Sequence, residues 1–514
     1  MNLKAQLLHI QAGGRNVAIL DDASASYLGV HSSDRVKISY KNKHTVAIVN
    51  VAANFPRGSI GLYEEPAKKL GVEKEEDVKV ELVTLPESLS YIQAKINNGR
   101  LRGNEIELII RDVVEGHLSN IELASFLTAL HIHGLSMDEV EALSKAMVKT
   151  GRTLSLGKKP ILDKHSIGGI PGDKTSILVV PIIAAAGFTI PKTSSRAVTS
   201  AAGTADRVEV LCPVSLSVEE IRKVVEKTNG CMVWGGALEL APADDIFIQI
   251  EYPLAIDPML LPSIMSKKKA IGATHVVLDI PTGRGAKIKT MGEAEALAAD
   301  FMDLGKRLGM NVQVGVTFGE QPLGNAVGPA LEAREALSAI MGNCPPDLYE
   351  KATNLAGILL EMVGKKNGRQ LAQEILKSGK AEQKLREIIE AQGGNPKVKA
   401  EDIVVGDKKA EVIADKDGEV LWITNEGIAK IAKEAGAPKD RGAGLLLKTK
   451  LGDHVKKGQT ILEIVAERST KLESAIELAR KIQPIGLSKK PEDRMLMERI
   501  PTPVVHKKTF ILDR

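Results

Sequence analysis

A chain of 514 residues with 43% hydrophobic and 26% charged side chains is longer than one core sustains and has an ordered protein's composition, so about two to four domains are expected and disorder is excluded. Its net charge of +4 is spread over 69 basic and 65 acidic residues with 3% aromatics, which argues against a nucleic-acid platform built on base stacking. Cys212, Cys231 and Cys344 lack CxxC spacing and the start MNLKAQLLHI lacks a signal peptide's apolar run, so a disulfide framework and a structural zinc site are excluded and a reducing cytoplasm is expected.

Residues 1–85 repeat themselves. Leu20 to Ile38 reads LDDASASYLGVHSSDRVKI and Leu62 to Val80 reads LYEEPAKKLGVEKEEDVKV. Allowing one inserted residue, both copies share an LGV step followed by Asp, Val, Lys and a β-branched residue. Each reads as a strand, a short helix (Ala23 to Leu28; Pro66 to Leu70), a Gly stop and an alternating strand. A duplicated small β-barrel is expected.

From Pro86 the apolar period becomes helical, through Leu89, Ile92 and Ile96 to Ile106, Ile109 and Val113, and residues 86–160 are expected to be all-helical. Ser119 with Glu122 and Ser136 with Glu139 have the spacing of capping boxes. After Lys159 the order becomes strand, glycine loop, helix. PILDKHSIGGIPGDKT leads into the apolar stretch Ile177–Ala186, Pro191–Asp206 supplies a second loop, and HVVLDIPTGRGAKIK a third, before a helix at Glu293–Leu308 and a strand at Val312–Phe318. Residues 161–345 thus read as a parallel α/β domain, whose ligands bind beyond the carboxyl ends of the strands. The stretch Ile177–Ile190 carries Pro181 and is too short to span a membrane, which needs about 20 apolar residues, so it reads as core. Residues 346–505 read as helical and then β-rich, with a GDHVKKGQ turn treated as structural.

The chemistry concentrates between Lys164 and Asp206. Lys164 and Ser166 precede Gly168, Gly169 and Gly172, and a helix begins near Thr175. A cation, a hydroxyl and exposed backbone N–H groups before a helix make an anion cradle. Asp173 stands where a Walker A loop needs its second Gly, so that match fails. The second loop, TSSRAVTSAAGTAD, offers six hydroxyls from Thr193 to Thr204, and Arg196 a bidentate fork for phosphate. Asp257 lies among apolar residues before Pro258. Burial would raise its pKa from about 3.9 and keep it protonated as an acid. The competing reading is a cap for a helix starting near Pro258. His165, Cys212, His131 and His133 lack metal-ligand spacing and read as packing or hydrogen-bonding groups.

KHSIGGIPGDKT, SSRAVTSAAGTAD, PSIMSKKKAIGA and PTGRGAKIK, in that order, resemble the thymidine and pyrimidine-nucleoside phosphorylase family over about Pro86 to Glu467. The resemblance implies an α/β multidomain protein: a helical domain, including a returning segment near 240–272, hinged to a parallel-sheet α/β domain, with the N-terminal barrel extra and a small β-rich C-terminal domain. It places Lys164, Ser166, Ser176, Ser194 and Thr204 on phosphate, and Ser263 and Lys267 on the base. The family's base-gripping Arg-Asp pair is replaced by QIEY around Gln249 to Tyr252, Pro171 is gained, and the third loop is basic, with Arg284, Lys287 and Lys289. These departures resemble the archaeal AMP phosphorylase subgroup, which cleaves nucleoside 5′-monophosphates with phosphate to the base and ribose 1,5-bisphosphate. That resemblance implies Asp257 as proton donor, with substrate held by Gly169, by Ser195, Arg196, Ala197, Val198, Thr199 and Ser200, and by Thr204, Ser263 and Lys287. It further implies inorganic phosphate as co-substrate with no resident cofactor or metal, no nucleic-acid or membrane partner, and a homodimer or larger homo-oligomer. The alternatives are a pyrimidine-nucleoside phosphorylase, an anthranilate-type phosphoribosyltransferase and a non-enzymatic regulator.

Overall fold

Asp21 begins the first helix by accepting the backbone N–H groups of Ala23 and Ser24, each at 3.0 Å, and Gly29 ends it in a left-handed conformation that suits a residue without Cβ. Gly71 ends the second copy's helix likewise. The strands β1 (Asn2–Leu7), β2 (Val17–Asp21), β3 (Arg35–Tyr40), β4 (Lys43–Ala52), β5 (Ser59–Leu62) and β6 (Asp77–Leu82), with α1 (Asp22–Leu28) and α2 (Glu64–Leu70), close into a barrel of order β1-β5-β2-β4-β3-β6. Exchanging β1 with β4, β2 with β5 and β3 with β6 leaves every pairing and its sense unchanged: β1–β5 and β4–β2 are parallel, β1–β6 and β4–β3 antiparallel. The repeat in the sequence is therefore a two-fold repeat in the topology, and each copy's first strand is lent to the other copy's β-α-β unit.

The computed structural model describes residues 1–488 apart from 84, 158, 198 and 199. After the barrel come α3 (Ser88–Ile96), α4 (Gly103–Glu115), α5 (Asn120–His133) and α6 (Met137–Thr150). Ser119 and Ser136 form the two capping boxes read from the sequence, each hydroxyl accepting the N–H three residues on at 3.4 Å.

The α/β region carries β7 (Leu162–Ser166), α7 (Thr175–Ala185), β8 (Ile190–Ser194), α8 (Thr204–Val208), α9 (Val218–Thr228), β9 (Gly230–Trp234), α10 (Pro242–Leu254), α11 (Leu260–Ala270), β10 (His275–Thr282), α12 (Met291–Arg307) and β11 (Asn311–Phe318). The order β11-β10-β7 is parallel throughout, β8 pairs with β9 in parallel, and the Ile161–Thr189 bridge sets β7 beside β8. All these strands point the same way, so the loops 167–174, 195–203 and 283–290 leave one end of the sheet. Residues Ile177 to Ala184 of α7 are buried on every side, each large aliphatic side chain contributing roughly 1.5–3 kcal/mol on burial. They pack between the sheet and the helices α13 (Pro329–Ile340) and α14 (Pro346–Met362). The opposite face of the sheet is covered by α9, α11 and α12. Ala243 and Phe247 of α10, and Met259 beyond it, enter the core formed by α3 to α6, so the chain returns to the helical region before re-entering the sheet. Residues 408–488 form two small antiparallel sheets and two helices, one sheet completed by Ala326–Val327. No helix among the described residues is long and apolar enough to cross a membrane.

Candidate active site

The first loop is tied by its own side chains. Ser166 Oγ accepts the Gly168 N–H at 3.3 Å, and Asp173 Oδ1 accepts Thr175 N at 3.1 Å and Thr175 Oγ1 at 2.5 Å, starting α7. Lys164 is buried, with Nζ 3.5 Å from Asp173 and 3.9 Å from Asp279, which also takes Lys351 at 2.7 Å. Burial alone raises the Asp173 carboxyl, but the ammoniums of Lys164 and Lys351, the Thr175 hydroxyl and the Arg207 guanidinium outweigh it and hold it well below the usual carboxylate range. Arg207, on α8, donates to the Asp173 carbonyl and sits 3.5 Å from Thr204 Oγ1, joining the first loop to the second.

In the second loop, Asp206 accepts Ala197 N at 2.7 Å and Gly203 N at 2.8 Å. Ser194 Oγ donates to the Val233 carbonyl and Ser200 Oγ to that of Ala202, while Ser195 is exposed. The expected phosphate fork of Arg196 is otherwise engaged. Its two terminal nitrogens grip Glu209 at 2.7 and 2.8 Å, and its guanidinium lies 4.8 Å over Trp234. A guanidinium that meets a carboxylate in this bidentate geometry is a brace for the loop, so Arg196 is withdrawn as a free anion ligand. Val198 and Thr199 lie outside the described residues.

The third loop meets the first. A Cβ on Gly169, whose φ is +97°, would lie 2.9 Å from Lys287 N and 3.1 Å from Lys287 Cγ, so only glycine lets the two loops touch here. Lys287 Nζ reaches across to Asp257 Oδ2 at 3.3 Å. Asn425, from the C-terminal region, donates to the Gly319 carbonyl at 2.7 Å and the Gly285 carbonyl at 3.4 Å, bracing the third loop from behind. Arg284 is largely exposed beside Glu320, and the Lys289 backbone N–H is bound by Glu293.

Asp257 departs from both readings of its sequence context. Its side chain is 48% exposed, so no apolar pocket encloses it. The following helix begins at Leu260 after Met259, so Asp257 is not its cap either. The flanking Leu254 is itself 48% exposed, because the turn between α10 and α11 projects toward the third loop. Ser263 and Lys267 lie one turn apart on α11, and Lys267 is paired with the buried Asp244.

Three matches bear on this arrangement. Residues 158–382 fit the glycosyl transferase family a/b domain, residues 89–151 its helical bundle domain, and residues 420–486 the pyrimidine nucleoside phosphorylase C-terminal domain. The AMP phosphorylase of Thermofilum pendens is 51% identical over 500 residues, 97% of this chain and 98% of that protein. That of Pyrococcus horikoshii is 52% identical over 493 residues, 95% and 98% of the two chains. The chain belongs to the AMP phosphorylase branch of this glycosyl transferase family. A solved anthranilate phosphoribosyltransferase from Thermus thermophilus, at 22% identity and a TM-score of 0.51, covers 59% of this chain and 98% of its own, and shows the shared fold alone.

In this member of the AMP phosphorylase branch, Gly168, Gly169, Lys164, Ser166, Lys287 and Asp257 form one continuous set of contacts, joined through Asp173 and Arg207 to Thr204. Sequence reasoning missed the buried ions beneath them. Lys192 and Lys268 both face Asp163, at 4.0 and 2.6 Å, and burial with the Lys268 charge pushes the Lys192 ammonium down to about 7. His165, half-buried and near four lysines, is held well below its usual value by desolvation first and by Lys268 next. The available signal was alternation: on β7, Lys164 shares its face with the fully buried Leu162.

Proposed function

We propose that the chain is a phosphorolytic pentosyltransferase that converts AMP and inorganic phosphate to adenine and ribose 1,5-bisphosphate, and that it accepts CMP and UMP by the same chemistry. The observation that carries the reading is the bridge from Gly169 through Lys287 to Asp257, which lets one lysine stand between an anion cradle and a carboxyl. Phosphate, held by Lys164, Ser166, Ser176, Ser194 and Thr204, attacks C1′ from one face of the ribose. The C1′–N bond breaks, its electron pair stays on the base, and that nitrogen system takes up a proton relayed by Asp257, whose half-exposed carboxyl draws it from water. Lys287 receives the 5′-phosphate, while Ser263 and Lys267 face the base. Holding the anion against C1′ supplies much of the rate, and the positive charge needed at the phosphates comes from the chain's own lysines. Cytoplasmic nucleotide breakdown and salvage by a homo-oligomer is the setting this chemistry fits.

The test is release of free base from AMP, CMP, UMP, adenosine, uridine and thymidine, with and without phosphate. Phosphate-dependent release confined to the monophosphates is expected. Release that favours nucleosides, or that proceeds without phosphate, overturns the reading.

A further inference from the structure

One buried acid beside the site has no place in the chemistry above. On α10 the spacing of Asp244, Phe247 and Glu251 puts all three on one face, and all three are buried. Phe247 turns that face into the helical core, its ring centroid 6.5 Å from that of Phe126. Glu251, only 6% exposed, makes two contacts with the segment that follows it. Its carbonyl accepts Ile256 N at 3.2 Å, and its Oε1 accepts Met259 N at 3.3 Å. Asp257 lies between those two attachment points, in a turn that also contains Ala255 in the left-handed region. Glu251 thus holds both ends of the turn that projects Asp257 toward Lys287.

The surroundings of Glu251 also disfavour its charge. Burial comes first, then the negative charges of Asp257 and Asp244; the Met259 N–H and the Lys267 ammonium oppose them, and the carboxyl is pushed up to about 8. The faces of α4, α5 and α6 against this helix contribute apolar side chains to the same core, among them Ile106, Phe126 and Met147. An uncharged Glu251 can sit beside two other carboxyls without repulsion and still accept the Met259 N–H through its carbonyl oxygen. A charged one adds a third negative group to the same corner.

We propose that Glu251 is a positioning residue for Asp257: its main-chain carbonyl holds the near end of the turn at Ile256, and its buried side chain, on Met259 N, fixes the far end of the turn that presents the Asp257 carboxyl to the leaving base. The inference rests on Asp257 being the proton donor of the proposed reaction. Because burial and the charges of Asp257 and Asp244 disfavour its ionised form, a charged Glu251 would repel Asp257 from this corner, so an alkaline limit of turnover is expected from Glu251, although it touches no substrate.

The experiment compares Glu251→Gln, Glu251→Ala and Asp257→Asn in the full-length protein, with kcat and KM for AMP followed across pH and the melting temperature checked for each. The amide of Glu251→Gln keeps an oxygen for Met259 N and has no proton to lose. It is expected to retain kcat at pH 7 and to lack the fall in kcat near pH 8 that is expected of the unmodified enzyme. Glu251→Ala removes the side-chain contact at Met259 N and is expected to lower kcat by about 10²-fold, the cost of an ångström-scale misplacement, with little change in KM. Difference infrared spectra of the unmodified protein are expected to show a protonated carboxyl that titrates near pH 8 and is missing in Glu251→Gln. An alkaline limb that survives in Glu251→Gln, or full turnover in a folded Glu251→Ala, overturns the proposal. Should Asp257→Asn turn over normally, the donor assignment fails instead, and the infrared titration still reports whether Glu251 is the uncharged acid.

Discussion

Replacing Lys287 with alanine separates a lysine that reads the 5′-phosphate from one that merely neutralises Asp257. The Lys287–Asp257 pair spans 3.3 Å with the two side chains 45% and 48% exposed. An ion pair that open to water contributes about 0.2–1 kcal/mol, so Lys287→Ala should leave the melting temperature within a few degrees of the unmodified protein. A charge-assisted contact to a phosphate dianion in the closed site contributes more, about 1.5–3 kcal/mol. At about 1.4 kcal/mol per factor of ten, its loss raises KM for AMP by about 10- to 150-fold. Adenosine has no phosphate to lose, so its KM should stay near the unmodified value. Steady-state release of adenine from AMP and from adenosine at saturating phosphate measures both. Equal fold-changes for the two substrates would refute the assignment, because they would place the lysine's effect on groups that both substrates share.

Asp257→Asn should lower kcat for AMP by about 10²–10⁴-fold, the usual contribution of a general acid, with nucleotide binding by calorimetry near normal; unchanged turnover removes Asp257 from the chemistry. Gly169→Ala places a Cβ 2.9 Å from Lys287 N at a φ of +97°, so the first and third loops must separate. KM should rise for both phosphate and AMP in a protein that still melts cooperatively, and unaltered kinetics would show that the contact between the loops is dispensable. Glu251 also predicts a stability profile. Its folded value, about 8, lies above the ordinary 4.5, so between those values the folded state holds a proton that the unfolded chain has released, and stability falls as pH rises through that window and levels off above it. Denaturant midpoints of Glu251→Gln should therefore gain on the unmodified protein from about pH 5 to about pH 8 and then run parallel to it; a gap independent of pH contradicts the burial of an uncharged acid.

The parts of this molecule that were legible in the sequence are those set by local chemistry. Ser119 and Ser136 begin helices because a hydroxyl three residues before a Glu satisfies free N–H groups whatever the tertiary context. The three glycine loops were visible because their backbones need residues without Cβ. The errors lie where a distant group decides. Arg196 was read as a phosphate fork because its sequence neighbours are hydroxyls, but α8 brings Glu209 back to it, thirteen positions on. Asp257 reads as a buried acid or a helix cap because apolar residues flank it and Pro258 follows, but the α10–α11 turn points outward and meets a lysine thirty positions away. QIEY was read only as the loss of an Arg-Asp pair. The buried Glu251 within it became visible once α10 placed it beside Asp244 and Phe247.

The buried ions connect these residues to the choice of substrate. Under the cradle, the ammoniums of Lys164, Lys192, Lys268 and Lys351 face the carboxylates of Asp163, Asp173 and Asp279, so cations exceed anions in a region closed to water. Such an excess is costly unless an anion completes it. At Lys192, burial first and then the Lys268 charge push the ammonium down to about 7, against the attraction of Asp163. A phosphate dianion bound at Ser166 and Thr204, as proposed, would add negative charge beside Lys164, which already faces the first loop through Asp173, and so would be favoured over a neutral nucleophile such as water at the same position. Discrimination at C1′ would then come from the charge beneath the loops, and discrimination at the 5′ position from Lys287. The two selections act on opposite ends of the ribose, which is why Lys287→Ala is expected to change the nucleotide preference without loosening the requirement for phosphate.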